Sequence, residues 1–73
     1  MARISYTLRL NADRTLSIIV RNGGRTMRES FGLLGKNRAE IFDAVKWALV
    51  SKDAYISDER LTEDLHHLIW RHL

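Results

Sequence analysis

Apolar residues recur at every second position through the first third of the chain. Ile4, Tyr6, Leu8 and Leu10 alternate with Arg3, Ser5, Thr7 and Arg9; after a polar stretch, Leu16, Ile18 and Val20 alternate with Thr15, Ser17, Ile19 and Arg21. A period of two sends one set of side chains to a buried face and the other to water, so half-buried strands are predicted over about residues 3–10 and 15–22. Ile19 is the one apolar intruder on the polar set. Asn22-Gly23-Gly24 then supplies residues that accept positive φ without strain, as a two-residue hairpin turn requires. A third strand over about residues 25–31 would set Met27 opposite Val20 and Phe31 opposite Leu16. It also sets Glu29 on the core side opposite Ile18, which fits a position near a sheet edge, within reach of water or an arginine.

After Gly32 to Gly35 the period lengthens. Asn37 and Glu40 stand three apart, the spacing of a helix N-cap with its capping-box partner. Ile41, Phe42, Val45, Ala48 and Leu49 follow as one stripe, which predicts a helix over about residues 38–50. Ser57 is a second N-cap, with Asp58 and Glu59 where the helix dipole favours negative charge. Leu61, Leu65, Leu68 and Ile69 continue at helical spacing, so a second helix is predicted over about residues 58–72. The six-residue link, 51–56, makes the two helices antiparallel neighbours.

These elements define an α+β fold in the order βββαα: a three-stranded antiparallel meander covered on one face by two antiparallel helices. Its expected core is Leu8, Ile18, Val20, Phe42, Val45, Leu49, Leu65 and Leu68. Seventy-three residues form one domain, 1–73, near the lower size limit for a core without metal or disulfide support. With 45% apolar and 29% charged residues the chain is globular rather than disordered. Cysteine is absent, which excludes disulfides and thiolate chemistry and fits a reducing cytoplasm. No apolar run is long enough for a signal core or a membrane span.

Charge adds a direction to this layout. Residues 1–38 carry eight basic and two acidic side chains, a net of +6, whereas residues 39–73 carry four basic and seven acidic, a net of −3. On the predicted architecture this becomes a split between faces. The outward strand positions are Arg3, Ser5, Thr7, Arg9, Thr15, Ser17, Ile19, Arg21, Thr26, Arg28 and Ser30, and most acids lie on the helices. Among the basic residues of the first 38, arginine outnumbers lysine seven to one. A guanidinium is a planar fork of donors suited to phosphate oxygens and to the guanine edge. The residues expected to bind an anionic partner are Arg3, Arg9, Arg21, Arg25 and Arg28 with Thr7 and Ser17. The competing reading is an ordinary solvated face, since exposed strands favour threonine and charged residues guard edges.

Other chemistry finds little support. His66, His67 and His72 are spaced by one, five and six, not the three or four that brings metal ligands onto one helix face, so neither a metal nor another cofactor is expected. No serine or threonine has a histidine and carboxylate in a local nucleophile pattern, and Gly23-Gly24 lacks the lysine and helix of a phosphate loop. An enzyme is therefore not expected. Trp47 and Trp70 stand off the centres of their stripes. They either flank the core or anchor a protein interface, including a homodimer through the helical side.

The leading expectation is a non-enzymatic module that binds duplex nucleic acid through the sheet face. Duplex is preferred because the strand aromatics, Tyr6 and Phe31, fall on the core parity and leave no stacking platform for single-stranded bases. The antiparallel sheet followed by a helix resembles, in layout alone, the arm-binding domains of phage integrases, a resemblance that implies DNA binding by the sheet and assigns no residues. The alternative is a small phage-type or mobile-element inhibitor or adaptor that binds a host protein complex or an acidic protein surface. In size and layout the chain is similar to some anti-CRISPR proteins.

Overall fold

The computed structural model describes residues 4–72. β1 (Ile4–Leu10), β2 (Thr15–Asn22) and β3 (Arg25–Gly32) precede α1 (Arg38–Val50) and α2 (Asp58–Leu68), and a 3₁₀ turn, Trp70–His72, follows. The strands form one antiparallel sheet in the order β1-β2-β3. Val20 pairs with Met27 and Leu16 with Phe31, the register that the hairpin signal predicts. Of the two turn glycines only Gly23 lies at positive φ, 63°, as a type II′ turn needs at its first central residue. In the first hairpin Arg14 takes φ 63° and donates its N–H to the Asn11 carbonyl at 3.1 Å. A type I turn followed by one left-handed residue produces this shape.

Both helix starts are capped by the side chains that the sequence nominates. Glu40 N–H donates to Asn37 Oδ1 at 2.9 Å and Asn37 N–H to Glu40 Oε1 at 3.2 Å, which completes a capping box. Arg60 N–H donates to Ser57 Oγ at 3.3 Å. α2 is shorter than the predicted 58–72. Ile69 leaves helical geometry at φ −120° while its N–H still reaches the Leu65 carbonyl at 2.8 Å, and the chain tightens into the 3₁₀ turn. The break buries Ile69 in the core.

The core centres on β2, the central strand of the order β1-β2-β3. Leu16, Ile18 and Val20 are fully buried beneath Ile41, Val45 and Leu49 of α1 and Leu61 and Leu65 of α2. Each such side chain contributes roughly 1.5–3 kcal/mol. The expected core members Leu8, Phe42 and Leu68 are only partly buried and form a rim instead. Leu8 lies on an edge strand, and the apolar centre of α1 is shifted towards Ile41 and Ala48, which turns Phe42 to the margin. α1 packs against β2 and α2 against β1, while β3 has no comparable helix cover. No helix among the described residues is long and apolar enough to cross a membrane.

Candidate nucleic-acid interface

The strand register assembles the uncovered face in rows. Ser5, Arg21 and Thr26 form one row across the three strands; Thr7, Ile19 and Arg28 form the next; Arg9, Ser17 and Ser30 form the third. Each row thus presents one arginine, on β2, β3 and β1 in turn. All three are exposed. Rows on one face are two residues apart, about 6.8 Å, so the three guanidinium stems span roughly 14 Å along the strands.

A shallow groove of about 300 Å³ runs between Arg9, Asn11, Ser17, Ile19, Arg28, Glu29 and Ser30. Asn11, which the sequence offers only as a turn residue, shapes its floor: Asn11 Nδ2 donates to Ser17 Oγ at 2.8 Å and to Thr15 Oγ1 at 3.0 Å. The amide fixes both hydroxyl oxygens; it leaves the Ser17 O–H to turn towards a ligand, whereas the Thr15 O–H is donated to Asp13. The signal for Asn11 is its parity, since it continues the outward set of Arg9 by two. At the turn, the Asp13 carboxylate accepts from Thr15 Oγ1 at 2.6 Å and Thr15 N–H at 3.2 Å, and these bonds hold its pKa below the ordinary carboxylate value.

Two of the expected contact residues are not part of this face as described. Arg3 lies outside the described residues. Arg25 is exposed at the hairpin, but it shares the parity of Met27, so the register sets it on the helix side of the sheet. The physical reason is the two-residue turn, which pairs Arg25 with Asn22 and not with Arg21. Arg9, Arg21, Arg28, Thr7 and Ser17 are brought together as expected.

Besides Asp13 at the turn, Glu29 borders the face from β3, and its partner is not an arginine. Lys52 Nζ donates to Glu29 Oε1 and, at 3.2 Å, to the Ala48 carbonyl, and its side chain is only 10% exposed. A lysine so placed neutralises Glu29 from beneath the sheet edge, and the arginines above keep their positive field. Sequence spacing gives no hint of this pair because Lys52 belongs to the loop after α1.

The two tryptophans differ. Trp70 is half-buried, with the Arg38 guanidinium 5.5 Å from its ring centre, and so flanks the core. Trp47 is 68% exposed and borders a depression with Phe31, Lys36, Ala44 and Ser51 beside β3. On the opposite edge, Tyr6 donates its hydroxyl to Asp64 beneath the Arg60 guanidinium, in a cleft completed by Leu8, His67 and Leu68. No group of three or more potential metal ligands occurs among the described residues. Compared with known proteins, the chain matches no family model, and no curated protein and no solved structure shows significant similarity to it.

Proposed function

We propose that the protein is a non-enzymatic binding module of the cytoplasm that docks its open sheet face on duplex nucleic acid. The observation that supports this reading best is the placement of Arg9, Arg21 and Arg28 in three successive rows of one face, interleaved with hydroxyl side chains. Their span of roughly 14 Å is comparable with the ~12 Å width of a major groove, so the outer arginines reach phosphates on its two sides. Serine, threonine and asparagine supply the neutral donors that fix register on a sugar-phosphate backbone. The face carries no aromatic side chain, and bases splayed from a single strand would find nothing to stack upon.

Fluorescence anisotropy on a labelled duplex, repeated over a salt series, tests the proposal. Log affinity is expected to fall linearly with log salt concentration, and Arg9→Ala, Arg21→Ala or Arg28→Ala each to reduce the slope by about 0.9. Undetectable binding at low ionic strength, or a slope unchanged in all three variants, overturns the reading.

A further inference from the structure

The two edges of the sheet are not equivalent. Along the middle of β1 the helix side is occupied by α2: Leu8 and Leu68 line one cleft and Tyr6 is held between Asp64 and Arg60, while Ile4 and Leu10 at the strand's ends are exposed. A strand added there would meet the charged flank of α2. Along β3 the helix side is open. Met27 and Phe31 are only partly buried, and Trp47 stands largely exposed across a depression of about 410 Å³ from Phe31. The uncovered place therefore lies beside β3, between Phe31 and Trp47.

The hairpin register fixes which backbone groups face that place. A two-residue turn closes on a hydrogen-bonded pair, here Asn22 with Arg25, so Arg25, Met27, Glu29 and Phe31 bond to β2. Thr26, Arg28, Ser30 and Gly32 direct their N–H and C=O groups outwards. A second β3 running antiparallel meets these groups in register when Arg28 lies opposite the partner's Ser30 and Thr26 opposite the partner's Gly32. In that register Met27 faces the partner's Phe31 and Phe31 the partner's Met27, both in the closer, non-hydrogen-bonded kind of pair, where a thioether beside a ring packs well. Glu29 faces the partner's Glu29 on the two-fold axis. Two carboxylates there would repel, but each already has a Lys52 ammonium beneath it. Shifting the strands by two residues in one direction sets Met27 against the partner's Glu29 and Phe31 against the partner's Arg25, which loses the apolar match.

We infer that β3 is a homodimerisation edge: two copies join antiparallel through β3, with Met27, Phe31 and Trp47 forming the apolar seam, into a continuous six-stranded sheet. The interface is isologous, so one self-complementary strand is sufficient to build it. All uncovered rows then share a single face, and Arg28 stands near its centre. The inference concerns the β3 edge with Trp47 and does not rest on nucleic-acid binding.

Sedimentation equilibrium without nucleic acid tests it. The mass is expected to rise with concentration from 8.5 kDa towards twice that value. Ser30→Pro removes an outward N–H and no bond of the β2–β3 ladder, and is expected to hold the chain at 8.5 kDa with an unchanged circular dichroism spectrum. Trp47→Ser, at an exposed helix position, is expected to raise the dissociation constant at least roughly tenfold. In the wild type, the amides of Arg28 and Ser30 are expected to exchange more slowly as concentration rises, a readout that holds even if Ser30→Pro does not fold. A wild-type mass fixed at 8.5 kDa throughout, amide exchange at Arg28 and Ser30 independent of concentration, or a dimer indifferent to both substitutions overturns the inference.

Discussion

At the scale of single residues, Lys52 carries more of the structure than its place in a loop suggests. Its stem is buried after α1 and its ammonium spans to Glu29 on β3. The two partners are not equally replaceable. Lys52→Met keeps the packed stem and returns Glu29, 48% exposed, to water. Glu29→Ala leaves an ammonium that is 10% exposed with only the Ala48 carbonyl for company. In urea denaturation Glu29→Ala is therefore expected to cost about 1–2 kcal/mol more than Lys52→Met, and equal losses would contradict this asymmetry. Alternation along β3 shows that Glu29 is out of place on a core parity. It cannot name the residue that resolves the conflict, because pairs so distant in sequence come from packing and leave no local period.

At the scale of elements, periodicity reads most of the chain and fails where packing ends an element. The three strands, their register and both N-caps follow from alternation and capping chemistry. The early end of α2 does not: Leu68 and Ile69 continue the helical stripe, yet the backbone leaves helical geometry at Ile69, which is buried in the core. The seam between β1 and α2 is likewise tertiary. There, burial and the hydrogen bond to the Asp64 carboxylate push the Tyr6 pKa up from 10.0 to about 12. A tyrosine whose folded pKa exceeds its unfolded value stabilises the fold fully below the unfolded pKa, and that contribution fades as pH rises from 10 to about 12. Thermal unfolding of the wild type is therefore expected to lose stability over that window, and Tyr6→Phe to flatten the loss. An identical pH profile for both proteins would refute the role of this seam.

At the scale of the molecule, a count of charges along the sequence becomes a surface. The excess of arginine in the first 38 residues is the visible part of the candidate site, and strand parity places Arg9, Arg21 and Arg28 on the face that the helices leave bare. Parity places the described members of that face correctly, with Arg3 outside the described residues, but a charge count alone includes Arg25, which the two-residue turn sends to the other side. It also passes over Asn11, whose amide organises Thr15 and Ser17, since an asparagine after a strand reads first as a turn. The face therefore combines three arginines and two hydroxyls oriented by Asn11, with Asp13 at its turn end and Glu29, paired with Lys52, at its edge.

The most direct test of this face is an amide chemical-shift titration of the labelled protein with a short DNA duplex at low salt. The account predicts that the amides of Thr7, Arg9, Ser17, Ile19, Arg21 and Arg28 shift together and saturably, while those of α2 from Asp58 to Leu68 stay in place. Shifts concentrated on α2 or around Trp47, or none on the sheet, would contradict it.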